Sequence, residues 1–221
     1  GNFVFKSREF VAGVYKFDFN NSNNSLSFVI NPSELNGKIE FAIKDFRINN
    51  NFSIINSTEN KIKKQYDKKE QEINSRIKLI RKSQKTRDQK ISEMAILSEE
   101  LFQYGLSLNK EYPGTFFGMI LSHMKSPYEN ISHLYFNDID FTDACIVRSK
   151  LLPTRIQTYM QKFSDYSNNK YGFHDAVDHI MSYAIKNEKI ADFCMYNMLD
   201  GFYNTGQTQQ NNDPIWINLC N

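Results

Sequence analysis

Cysteine is scarce in this sequence and never paired at short range. Cys145, Cys194 and Cys220 are the only three, and none has a second cysteine two residues away. An odd, widely spaced set is neither a complete disulfide framework nor a zinc-ligand spacing, and it offers no C-x-x-C redox pair. Small buried hydrophobes are the expected role for all three. The chain also lacks any run of about 18 apolar residues, the length needed to span a bilayer as a helix. It shows no signal peptide. Neither of the phosphate-cradling glycine patterns G-x-x-x-x-G-K-[ST] and G-x-G-x-x-G occurs, and no serine, cysteine or lysine stands in a nucleophile motif. Charge of one sign is missing too: 27 Lys and Arg against 25 Asp and Glu leave a net charge of +2, which does not call for nucleic acid or an anionic membrane.

What is abundant is aromatic and aliphatic surface. The 221 residues include 18 Phe and 12 Tyr, enough to close a folded core and too many for a disordered chain. Up to about residue 55 the apolar residues alternate. Val11, Tyr15, Phe17 and Phe19 share one parity, as do Leu26, Phe28 and Ile30, then Ile39, Phe41 and Ile43, with a phase slip at Asp45 before Phe46 and Ile48. Period two means half-buried strands, and the slip implies a bulge or turn. Asn- and Ser-rich breakers separate the runs at 20–25, 31–33, 36–37 and 49–51. This pattern predicts a compact antiparallel sheet or part of a sandwich.

At Asn56-Ser57-Thr58-Glu59 the period changes. Asn followed three residues later by Glu predicts a helix N-cap with a capping box. Ile62, Tyr66, Ile73, Ile77 and Ile80 then recur at helical spacing, followed by Ile91, Met94, Leu97, Leu101 and Tyr104, so 57–112 reads as one long helix or a helical hairpin. Between Lys61 and Lys90 there are 12 Lys or Arg against 4 acids. Basic residues in that density can neutralise phosphates, but the run lacks interleaved aromatics beyond Tyr66 and reads as a solvated helix face. Further helices are expected at Thr115–Met124, Leu151–Phe163, Phe173–Ile185 and Ile190–Phe202, with Pro153 near a helix start, and a last one begins at Asp213-Pro214. The fold class is α+β: a β module over 1–56 and a mainly helical module over 57–221, its long charged helix or hairpin at 57–112 and its later helices at 114–221.

Candidate ligand groups read as structural. His174 and His179 stand five apart, about 140° around a helix, which prevents easy sharing of a metal. His123 and His133 flank Pro127 without nearby Cys or carboxylate partners. Asp138-Ile139-Asp140-Phe141-Thr142-Asp143 gathers three carboxylates, but it lacks the glycine and late acid of a calcium loop, and alternate Ile139 and Phe141 point to a turn or strand with its polar residues outward. Asn-x-Ser/Thr sequons begin at Asn20, Asn23, Asn51, Asn56 and Asn130, as the Asn-rich composition alone produces. No catalytic, cofactor or metal residue is expected, and no cofactor.

Gly1-Asn2-Phe3-Val4-Phe5-Lys6, Ala12-Gly13-Val14-Tyr15 and Asn56-Ser57-Thr58-Glu59-Asn60 resemble the β-domain found ahead of TlpA/ResA-like thioredoxins in gut-type anaerobic bacteria. Tyr112-Pro113-Gly114-Thr115-Phe116-Phe117, Asp138-Ile139-Asp140-Phe141 and Leu151-Leu152-Pro153 look like the helical insert that follows it. The resemblance implies a periplasmic or outer-envelope protein, often a lipoprotein, whose C-terminal thioredoxin-type domain carries a C-x-x-C. That domain and the earliest strands of the β-domain have no counterpart here, so no catalytic cysteine is carried over. The expectation is therefore a non-catalytic accessory region of a thiol-disulfide oxidoreductase, working on a protein partner or on the reductase domain. The alternative is an independent helical module that binds protein or peptide. Trp216, the only tryptophan, is expected to dock on the helical module near Phe202-Tyr203 through the apolar run Ile215 to Leu219.

Overall fold

The computed structural model describes residues 10–18, 25–34, 40–43, 52–129, 134–163 and 172–204. The expectations for the phase slip at Asp45, for His133, for Cys220 and for Trp216 fall outside these residues. The described chain is α+β, with four short strands followed by helices. The strands are β1 (Gly13–Asp18), β2 (Ser25–Ile30), β3 (Phe41–Ile43) and β4 (Phe52–Ile54). The α-helices are α1 (Thr58–Lys82), α2 (Arg87–Glu111), α3 (Phe116–Ser122), α4 (Leu151–Phe163), α5 (Gly172–Ala184) and α6 (Glu188–Asn204), and a 3-10 helix covers Ala144–Arg148. Secondary structure changes from strand to helix at residues 54–58, where the period changes in the sequence. The compact units divide elsewhere: one spans Gly1–Glu129 and the other Asn130–Asn221.

In the first unit β1 pairs with β2 antiparallel, Gly13 opposite Ile30 and Asp18 opposite Ser25, and β3 pairs with β4. Leu26, Phe28 and Ile30 form one buried face with Tyr15 and Phe17 against them, as the alternation predicts. Val29 departs from that pattern. It belongs to the other face of β2, yet it is 0% exposed. The reason is Asn60 on α1, whose side-chain amide accepts from Val29 N–H at 2.7 Å and donates to Val29 C=O at 2.8 Å. One side chain thus imitates a neighbouring strand and brings α1 onto β2. Removing it as Asn60→Ala is expected to cost about 2 kcal/mol, since two buried backbone groups lose their partners. A change in urea midpoint equivalent to under about 0.5 kcal/mol would contradict this.

The N-cap of α1 is Ser57, not the expected Asn56. Ser57 Oγ accepts from Asn60 N–H at 3.2 Å, while the Asn56 side chain is turned to Glu40 N–H at 3.2 Å. The helix closes at Ser83, whose backbone N–H and hydroxyl both donate to Ile80 C=O. Thr86 and Gln89 then form a reciprocal capping box that starts α2, so 57–112 is a hairpin and not one long helix. Ile62, Tyr66 and Ile73 are buried on α1, and Leu97, Gly105 and Leu108 on α2.

A sharp corner joins α2 to α3. Gly114 sits at φ +79°, a left-handed conformation that follows Pro113. Thr115 caps α3 by accepting from Gly118 N–H at 3.2 Å. A Cβ on Gly118 would lie 2.5 Å from Thr115 Oγ1 and 3.0 Å from Asn109 Oδ1. Gly118→Ala is therefore expected to break the cap and destabilise by about 1–3 kcal/mol. Gly114→Ala meets open space and carries only the left-handed strain, about 1 kcal/mol. Chemical denaturation of the two variants side by side tests the ranking, and a larger loss at Gly114 reverses it.

In the second unit α4, α5 and α6 pack on one another, and α4 and α6 also pack on the 3-10 helix. Their core joins Leu152, Ile156 and Tyr159 to Ala176, Ile180, Ile190, Cys194 and Met198. Phe136, Ile139 and Phe141 enter the same core from the turns before the 3-10 helix. The helix positions match the sequence periodicity to within a few residues, except that α3 stops at Ser122.

Candidate functional site

The charged and polar residues that attract attention in the sequence are first accounted for by structure. Glu59 is 1% exposed, and its carboxylate accepts from Phe116 N–H at 2.7 Å, Phe117 N–H at 2.8 Å and Asn31 Nδ2 at 2.7 Å. Glu34 does the same for α1, accepting from Thr58 N–H, from Glu59 N–H at 3.0 Å and from Ser57 Oγ at 2.8 Å. The starts of α1 and α3 are thus both closed by a Ser or Thr at the third N–H and a distant carboxylate at the first two. A negative charge there also opposes the helix dipole favourably. Asn56 to Asn60 is the segment where this capping relay and the Val29 contact meet.

The Asp138 to Asp143 loop is a series of turns. Ile139 and Phe141 are buried in the core of the second unit. Asp140 accepts from Thr142 N–H at 2.8 Å and from its hydroxyl at 2.6 Å, which holds its carboxyl below the usual range. Asp143 caps the 3-10 helix at Cys145 N–H, 2.8 Å. Asp138 pairs with Arg155, which is 2% exposed, donates to Tyr135 C=O at 2.7 Å and stacks over the Tyr135 ring at 4.4 Å. Arg155 Nε and Nη1 find no hydrogen-bond partner among the described residues.

His179 lies in an aromatic nest, stacked on Tyr159 at 5.4 Å and edge-on to Tyr183 at 5.3 Å, as a packed histidine. His174 lies five residues away on the same helix, α5, and His123 is the C-cap of α3. Among the described residues no group of three His, Cys, Asp or Glu side chains is placed to hold a metal ion.

Cys194 is fully buried and Cys145 partly so. Burial pushes the Cys194 thiol up to about 12, and burial together with Asp143 raises that of Cys145. A raised thiol leaves almost no thiolate at pH 8, so a disulfide-exchange reagent is expected to reach Cys194 only after unfolding. Its contribution to stability is full below the ordinary thiol pKa near 8.5 and fades as pH climbs towards 12. Native-state labelling of Cys194 faster than Cys145, read by peptide mapping, would refute the burial argument.

Open surface of a different kind lies along the α1–α2 hairpin. Leu79, Ile80, Ile96 and Leu97, with Arg76 and Glu93, line a groove of about 360 Å³. Leu97 is 5% exposed and forms its floor, whereas Leu79 at 70% and Ile96 at 57% stand in water. Further along the hairpin the two helices are tied by Lys69 and Arg76 to Glu100, at 2.6 and 2.9 Å, and these partners hold the Glu100 carboxyl below its ordinary range. Lys85 to Glu93, 2.6 Å, bridges the turn. An apolar groove between two helices, with charge around it, can take the apolar face of a third helix.

The chain matches no protein-family model, no curated protein and no solved structure.

The sequence reading passed over both the groove and Arg155. Leu79 and Ile96 sit one step off the stripes traced through Ile80 and Leu97, so they read as filler, although two adjacent apolar residues on each helix already widen the face. Arg155 occupies the i+3 place in the buried set Leu152, Ile156 and Tyr159, a signal that this arginine enters the core.

Proposed function

We propose that this chain is a non-catalytic protein-interaction region that presents the α1–α2 groove to a helical segment of a partner. The observation that carries this reading is the groove itself: Leu79 and Ile96 are left in water beside a preformed apolar floor. Burying such side chains stabilises a complex by about 1.5–3 kcal/mol each. The resemblance of the Asn56–Asn60 and Tyr112–Phe117 segments supports a setting beside a thioredoxin-type reductase in the bacterial envelope. In that setting the region would hold a protein partner while the reductase domain does the thiol chemistry.

Two measurements test the proposal. Amide shifts in the NMR spectrum, on titration with amphipathic helical peptides, are expected to concentrate at Leu79, Ile80, Ile96 and Leu97. Shifts confined to the aromatic nest around Tyr159 and His179, or none at all, would count against it. The purified chain is also expected to show no turnover in dithiothreitol-coupled insulin reduction. Turnover that vanishes in a Cys-to-Ser variant would overturn the non-catalytic assignment.

A further inference from the structure

The first turn of α1 holds two other elements in place while having little support of its own. Glu59 reaches from it to Phe116 and Phe117 N–H, the first two of α3, and accepts from Asn31 Nδ2. Asn60, the next residue, holds both backbone groups of Val29 on β2. The first N–H groups of a helix have no acceptor within it. Here the first such bond is Lys61 N–H to Ser57 C=O at 3.0 Å, so Thr58 and Glu59 N–H depend on Glu34, in the turn after β2. The Ser57 hydroxyl donates to the same carboxylate at 2.8 Å. At the far end of the chain of bonds, α3 has only seven residues. An isolated helix shorter than about 12–15 residues is marginal at best, so α3 depends on its cap and its packing. Phe116, Phe117, Ile120 and Leu121 are all buried, and residues four apart share that face only while the helix is wound. It is the last helix of the first unit.

We propose that the turn after β2, the first turn of α1 and the whole of α3 form a latch that opens and closes in one step. Loss of the Glu34 cap unwinds residues 58–60 and carries the Glu59 carboxylate out of line with Phe116 and Phe117. α3 then loses the partners of its first two N–H groups, and Val29 loses Asn60. Glu34 thereby governs a helix that its own carboxylate does not bond, since among the described residues that carboxylate reaches only Ser57, Thr58 and Glu59. The rest of the α1–α2 hairpin stays closed. Ile62, Tyr66 and Ile73 are buried along it, and Lys69 and Arg76 tie α1 to Glu100. Coupling of this kind is reciprocal: whatever loosens α3 also loosens the start of α1.

Native-state hydrogen exchange of the whole chain, followed amide by amide in NMR spectra, tests the latch. In Glu34→Ala the amides of Val29, Glu59, Asn60, Phe116 and Phe117 are expected to exchange faster by a common factor of about 10, while those of Ile73 and Leu97 keep their rates. Acceleration confined to Glu59 and Asn60 would overturn the proposal, because the cap of α3 would then stand without that of α1. An equal acceleration at Ile73 and Leu97 would overturn it too, as the mark of a whole unit loosened without a separate latch. Thr115→Ala removes only the cap that α3 supplies to itself at Gly118 N–H. By reciprocity it is expected to speed Glu59 and Asn60, and unchanged rates at both would count against a single step. If Glu34→Ala does not fold, Glu34→Gln keeps one acceptor oxygen and gives the same comparison at smaller amplitude.

Discussion

Glu59→Ala is expected to destabilise the first unit by about 3–5 kcal/mol, the largest effect of any single substitution there. The carboxylate is fully buried and accepts three donors, two from the start of α3 and one from Asn31. Hydrogen bonds to a charged acceptor contribute about 1.5–3 kcal/mol each, and donors left buried without a partner add their desolvation cost. Water entering the vacated space recovers part of this, so the sum of three bonds is an upper bound. A loss of this size approaches the whole stability of a small domain, about 5–15 kcal/mol. Glu59→Gln keeps the shape and one acceptor oxygen but turns an NH₂ towards a donor, so it should fall midway. Asn31→Ala removes a donor without stranding the carboxylate and should cost about 1 kcal/mol. Urea unfolding followed by circular dichroism gives the order. If Glu59→Ala lies within about 0.5 kcal/mol of the parent, the buried cap is not holding α3.

The second large effect concerns the buried cation. Asp138→Ala leaves Arg155 inside the core with only the Tyr135 carbonyl and ring as compensation. A stranded buried charge costs about 3–5 kcal/mol when both partners are buried. Asp138 itself is one-third exposed, so solvent screening lowers the expectation to about 2–3 kcal/mol. Arg155→Met removes the charge and keeps an unbranched apolar stem, as in other buried pairs whose replacement is close to neutral. On that argument Asp138→Ala combined with Arg155→Met should be more stable than Asp138→Ala alone. A double variant less stable than either single one, measured by thermal melting, would show that Arg155 contributes by more than its pairing with Asp138.

These two sites differ in how far they could be read in advance. The Asp138–Asp143 segment was legible: apolar residues alternating with short acids require a turn with its polar side outward, and Asp140 and Asp143 cap their own neighbours within two residues. Glu59 was legible only as a helix-start residue. Its true partners are 57 and 58 residues along the chain, and no local pattern encodes a bond of that span. The same holds for Asn60, read as part of a helix start and found acting as the missing neighbour of β2.

The sequence by itself determined the class and order of the elements, because periodicity and capping are local. Period two named β1 and β2 and period 3.6 named the helices, while 57–112 read equally as one long helix or a hairpin. Only the tertiary structure decided that Asn56 turns to Glu40 and leaves the cap of α1 to Ser57, that Glu34 and Glu59 close helix starts from a distance, and that Arg155 is buried. It also decided that Leu79 and Ile96, on separate helices, meet beside one groove. Each of these depends on residues brought together by packing, and short-range spacing carries no information about which of many possible neighbours a side chain will find.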